Sequence, residues 1–138
     1  MLEYVVDANR LDERHAAATC KDATIEIDTD PAGRRDLFNP AELLLAALAA
    51  CMLKGIERVA PMLKFSLRGA RLHLHAVRQD DPPRLVAIEY ELIIDSDEPD
   101  RRLELLHRNA VKYGTISNTL ASAVSITGRV RRGAARGA

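Results

Sequence analysis

The sequence is poor in the features that announce most functions. It holds two cysteines, Cys20 and Cys51, in 138 residues. That is too few for the disulfide framework of a small secreted domain, and in a reducing compartment such thiols stay free unless they work. Neither charge is in excess: 20 Lys and Arg stand against 20 Asp and Glu. A balanced chain has no electrostatic footprint for nucleic acid or an anionic membrane, so neither is expected as a partner. The longest apolar run, Leu43 to Leu53, stops at Lys54, well short of the ~20 residues a membrane span needs. The opening stretch MLEYVVDANR has no basic leader and no long apolar core. No signal peptide is therefore expected, and the expected location is cytoplasmic. No glycine-rich phosphate loop, Ser-His-Asp order or paired-carboxylate motif stands out. No internal repeat or Pro/Gly-rich linker divides the chain.

What is present suits one domain with a real core. Hydrophobic residues make up 47%, the range of an ordinary globular protein. A single domain over 1–130 is expected, followed by a flexible basic tail over 131–138, where RVRRGAARGA leaves the last strand. Leu2 to Ala8 reads as a strand. Arg14 to Thr19 and Thr24 to Thr29 read as a hairpin turning at Cys20–Ala23, with TIEID alternating apolar and polar. Asn39, Pro40 and Glu42 then read as cap, first residue and third residue of a helix. Its apolar residues cover every face, so burial all round is expected, with an end before Pro61. Phe65 to Gln79 and Arg84 to Asp95 pair as strands about the DDPP turn. A second helix starts near Pro99 to Arg101, with Leu103, Leu106, Ala110 and Tyr113 on one face. Gly114 reads as its left-handed stop. A turn of helix near Asn118 to Ala121 and a strand from Val124 to Val130 close the chain. This order predicts an α+β fold, antiparallel sheet packed on two helices.

Cys51 is the residue to explain. On chemistry alone it reads as structural, since free cysteine behaves as a small hydrophobe. It lies about three turns into its helix, beyond the reach of the helix dipole, and an apolar site disfavours a thiolate. Reactivity would require a cation brought from elsewhere, and arginine is the best choice because it stays charged when buried. Glu42 is nine residues before Cys51, so on one helix the two point to opposite sides, about 13 Å apart along the axis. Glu42 therefore reads as a capping residue unless a second subunit brings it round. His73 and His75 share a strand face but have no third ligand, and no metal is expected there. His15 and His107 read as surface residues.

Two stretches carry a resemblance. NPAELLLAALAAC, Asn39 to Cys51, resembles the helix signature of the OsmC/Ohr superfamily of thiol-dependent peroxidases, and YGTISNTL, Tyr113 to Leu120, resembles its second signature. The element order is similar from about Leu2 to Val130. The resemblance implies an OsmC-like fold in an intertwined homodimer, with active sites at the subunit interface. It implies that Cys51 matches the peroxidatic cysteine, whose thiolate attacks an organic hydroperoxide and becomes sulfenic acid. It implies that an arginine of the N-terminal strands holds the thiolate; Arg14 is the gapless match and Arg10 the fallback. No cofactor is implied, only an external thiol or dithiol reductant. The chain departs from the family pattern twice. Gly114 stands where the resolving cysteine usually falls. The acid that orients the arginine usually falls at Ala41, whereas here it is Glu42, one place on. Resolution would then pass to Cys20 or to an external thiol. The competing expectation is a non-catalytic member of the fold that binds a small apolar or acyl ligand, or that senses oxidation through Cys51.

Overall fold

The computed structural model describes residues 1–135. The chain is α+β and falls into two compact units, Met1–Ala46 and Ala47–Ala138.

The first unit carries an antiparallel sheet of β1 (Asp7–Arg10), β2 (His15–Cys20) and β3 (Ala23–Asp28), in that order. The expected hairpin is present, and its turn is Lys21 and Asp22, with Cys20 opposite Ala23. Lys21 takes a φ of 55°, the positive φ that two-residue hairpin turns favour. The first strand lies further along the chain than expected. It begins at Asp7, and Leu2, Tyr4, Val5 and Val6 stand exposed. A strand needs a hydrogen-bonded neighbour, and β2 supplies one only from Asp7↔Thr19 to Arg10↔Ala16.

α1 (Pro40–Met62) follows. Its start is the expected capping box. The Glu42 N–H donates to Asn39 Oδ1 and the Asn39 N–H donates to Glu42 Oε1, both at 2.9 Å, so two end donors are satisfied reciprocally. Its end differs from the expectation. The helix runs through Pro61 to Met62, because the stop is set by backbone geometry one turn later. Lys64 adopts a left-handed φ of 51°. The Phe65 N–H then reaches Ala60 O at 2.8 Å and the Lys64 N–H reaches Pro61 O at 3.1 Å. This is a Schellman closure with lysine where glycine is usual. Phe65 and Ala60 join the same apolar cluster and seal it. A side chain in this region is strained. Lys64→Gly is therefore expected to stabilise the protein by about 1 kcal/mol, read as a higher urea midpoint at unchanged slope. A lower midpoint would refute the strain.

Burial of α1 is also one-sided rather than all round. Leu48, Met52 and Ile56 are 1% exposed, whereas Ala47 and Ala50 are open. In the second unit Ile56, Val59 and Ala60 of this helix join Phe65, Leu92, Ile94, Leu103 and Leu106. Gly55 permits a close approach to Ala110, since a Cβ there would stand 2.8 Å from Ala110 O.

The second sheet contains β4 (Gly69–Asp80), β5 (Pro83–Asp95) and β6 (Ser125–Arg132), in that order. β4 and β5 pair antiparallel, as expected, with a register shift at Val77/Arg78. β6 instead runs parallel to β5, from Ala87↔Ser125 to Ile94↔Arg132. The cause is the connection. α2 (Asp100–Lys112) and α3 (Thr115–Ala121) return the chain to the end of the sheet where β5 began, as a crossover must. β6 also extends two residues into the segment expected as a tail. Arg131 pairs with Glu91 at 2.8 Å, and Arg132 donates to the carbonyls of Ser96 and Glu98. Residues 136–138 of that segment lie outside the described residues.

α2 buries Leu103, Leu106 and Ala110 as its spacing predicts, but Tyr113 is its exposed C-cap. His107, expected at the surface, is instead largely buried, with a side chain 12% exposed. Its Nε2 lies 2.5 Å from the Tyr90 hydroxyl. Burial pushes the His107 imidazole below its ordinary pKa, and Glu104 opposes the shift. A fold that prefers the neutral ring gains stability that is complete above the ordinary value and is lost as pH falls through the lowered one. Between pH 7 and pH 5 the wild type is thus expected to lose more stability than His107→Gln. Urea unfolding across that range is the check, and parallel losses would refute it.

Candidate functional site

Cys51 lies on α1 in the second unit, half-buried, next to the fully buried Met52. Its sulfur meets the junction of α2 and α3. The first amides of a helix have no intrahelical acceptor. In α3 one of them, the Ile116 N–H, donates to Cys51 Sγ at 3.4 Å across 65 residues of sequence.

Gly114 forms the other wall. It is not the left-handed stop expected from sequence. Its φ of −82° and ψ of 120° are open to any residue, and it serves as N-cap of α3. Backbone conformation does not require glycine here, but the space beside it is tight. A Cβ built on Gly114 would stand 3.0 Å from Cys51 Sγ and 3.1 Å from Ser117 Oγ. Position 114 is thus in contact with the thiol, and glycine leaves that contact without a side chain. Ser117, 7% exposed, completes the wall. Sequence reasoning does not single out Ile116 or Ser117. The signal available is the stretch YGTISNTL, which matches as a block without roles for its members.

The other expected site residues belong to the first unit. Arg14 donates through Nε to Asp30 Oδ2 at 2.8 Å, and its own N–H bonds Asp12 Oδ1 at 2.7 Å. The Arg14 guanidinium holds the Asp30 carboxyl below the usual range. The N–H of Arg14, above all, pulls Asp12 down to about 2, with help from His15. Arg10 is exposed in β1 opposite Ala16. Cys20 ends β2 as a half-buried free thiol. Glu42 is engaged in the helix cap. On the second sheet, His73 and His75 stand exposed opposite Glu91 and Glu89. No helix among the described residues is long and apolar enough to cross a membrane.

Residues 33–128, which include both walls of the Cys51 site, match the family model described as OsmC-like protein. The chain belongs to the OsmC-like family. Solved OsmC-like structures share the fold over nearly the whole chain. An OsmC-like protein from Mycoplasma pneumoniae is 21% identical with a TM-score of 0.86, covering 95% of this chain and 97% of that one. An organic hydroperoxide resistance protein from Legionella pneumophila is 22% identical with a TM-score of 0.75, covering 94% and 97%. The organic hydroperoxide resistance protein OhrB of Bacillus subtilis is 17% identical with a TM-score of 0.64, covering 94% and 98%. No curated protein matches the chain.

Proposed function

We propose that this OsmC-like protein is a thiol peroxidase that reduces organic hydroperoxides through Cys51. One observation carries the reading. The two stretches that resemble family signatures meet at one sulfur, with Gly114 and the Ile116 N–H both against Cys51 Sγ. Membership of a family with organic hydroperoxide resistance proteins among its structural relatives supports the substrate class.

In this reading the Cys51 thiolate attacks the terminal oxygen of the hydroperoxide. The S–O bond forms as the O–O bond breaks. The sulfur is oxidised to sulfenic acid, and the alkoxide takes a proton from solvent and leaves as the alcohol. Arg14, or Arg10 in its place, supplies the cation that a half-buried thiolate needs. With glycine at 114, an external thiol attacks the sulfenic sulfur, releases water and forms a mixed disulfide. A second thiol then regenerates Cys51. The cycle needs no prosthetic group. The exposed apolar arm Leu2 to Val6 and the open face of α1 favour a homodimer that covers them.

The test is stopped-flow oxidation of the reduced protein by one equivalent of tert-butyl hydroperoxide, beside glutathione at equal thiol. Oxidation orders of magnitude faster than glutathione is expected. A rate no higher than that of the free thiol would overturn the reading and turn attention to ligand binding or redox sensing by the same fold.

A further inference from the structure

Ser117 is a buried polar residue that the proposed reaction leaves idle. It is 7% exposed. Among the described residues its hydroxyl has no hydrogen-bond partner. Among the described residues no side-chain oxygen or nitrogen sealed from solvent is unpaired, so this oxygen keeps a narrow opening. A buried hydroxyl without a partner is costly unless something satisfies it. The thiol lies beside it, since Ser117 Oγ and Cys51 Sγ flank one point, the Cβ position of Gly114, at 3.1 and 3.0 Å. The two atoms are therefore within about 6 Å of each other. An oxygen added to the sulfur on that side lies between the two atoms and closes part of the gap, and side-chain rotation can bring the hydroxyl to it.

We infer that Ser117 holds the sulfenic acid formed on Cys51, donating to its oxygen or accepting from its O–H. A serine hydroxyl can do both, because it carries one donor and two acceptor pairs. The inference rests on the peroxidase reading and adds a role that reading does not contain. Its physical sense lies in Gly114. A chain with a thiol at 114 would consume its sulfenic acid at once. This chain must keep the oxidised sulfur intact until an external thiol arrives, and a hydrogen bond to the S–O–H group does that. No bond is made or broken at Ser117, and no proton is permanently moved.

The experiment compares sulfenic acid lifetimes. Reduced wild type, Ser117→Ala and Ser117→Thr each receive one equivalent of tert-butyl hydroperoxide. After increasing delays the remaining sulfenic acid is trapped with a cyclic 1,3-dione and counted by intact mass. Loss of one hydrogen bond corresponds to about a five-fold shorter lifetime in Ser117→Ala. Ser117→Thr keeps the hydroxyl and keeps the wild-type lifetime. Alkylation of the reduced Cys51 by iodoacetamide stays at the wild-type rate in both. If Ser117→Ala does not fold, Ser117→Val against Ser117→Thr isolates the hydroxyl at constant shape. Equal lifetimes with and without the hydroxyl would overturn the inference and leave the peroxidase reading standing. So would a change in lifetime matched by the same change in alkylation, which would mark a structural effect. If wild type forms no trappable sulfenic acid, the peroxidase reading fails and this inference fails with it.

Discussion

Cys51→Ser is expected to abolish the fast reaction with organic hydroperoxides, with a loss of roughly a thousand-fold or more, as when a nucleophile is removed from other enzymes. The chemistry requires it. The step is a displacement at peroxide oxygen by a sulfur that ends two electrons poorer, and a serine oxygen cannot follow that course. Stability should barely change, because the swap is nearly isosteric and the site is half-buried. The hydrogen bond that Cys51 Sγ accepts comes from the Ile116 N–H, and a serine oxygen can still accept it. An unchanged urea midpoint together with a lost burst would therefore separate chemistry from folding. Cys20→Ser supplies the internal control. Cys20 ends β2 opposite Ala23, in the hairpin of the first unit, and the burst should survive its removal. Peptide mass mapping after peroxide treatment then decides the second half of the cycle. Mixed disulfides of Cys51 with the added thiol are expected. A Cys20–Cys51 disulfide would transfer resolution to Cys20. A burst that persists in Cys51→Ser would sink the assignment of Cys51.

How much of this can be read from the residues depends on what each element needs. α1 begins where its local chemistry says, because Asn39 and Glu42 satisfy each other within four residues. Its end is not legible in the same way. Pro61 is a visible breaker, yet the stop depends on Lys64 accepting a left-handed φ, which no propensity for lysine suggests. The strands of the second sheet follow their alternation, but the direction of β6 depends on where two helices deliver the chain. His107 carries a signal of its own. It stands four residues after Leu103 and three before Ala110, on the buried face of α2, where Tyr90 satisfies it. At the site, Cys51 reads as a core residue on chemistry alone. Only the resemblance of two distant stretches raises it, and only the fold brings Gly114, Ile116 and Ser117 to it. Glycine at 114 looks like a backbone requirement because glycine so often is one. Its ordinary dihedrals show that the backbone makes no such demand, and what is special at 114 is the tight space beside Cys51 Sγ and Ser117 Oγ.

That steric reading makes Gly114→Cys the sharpest test of the site's geometry. A Cβ–Sγ bond of about 1.8 Å and an S–S bond of about 2.04 Å, meeting at a near-tetrahedral angle, put the Cβ of a disulfide about 3.0 Å from the partner sulfur. The Cβ position at Gly114 lies 3.0 Å from Cys51 Sγ. The same distance is tight for a non-bonded methyl and right for a bonded cysteine. Two substitutions at one position should therefore diverge. Gly114→Ala forces its methyl against both Cys51 Sγ and Ser117 Oγ and should cost about 1–3 kcal/mol by overpacking. Gly114→Cys carries the same strain when reduced. One equivalent of organic hydroperoxide should then convert it to an intramolecular disulfide, in which the sulfenic sulfur is attacked by the new thiol and water leaves. Closing the loop from 51 to 114 stabilises the oxidised form by up to about 4 kcal/mol. Oxidised Gly114→Cys should thus unfold at higher urea than wild type, and its reduced form at lower urea. Turnover should become able to use a dithiol in place of two monothiols, since the oxidised state is now an internal disulfide. Sulfenic acid should become too short-lived to trap, in contrast to the wild type. If Gly114→Cys gives sulfenic acid that persists and forms no disulfide between positions 51 and 114, then position 114 does not face the reacting sulfur, and the contact on which the site is built is wrong.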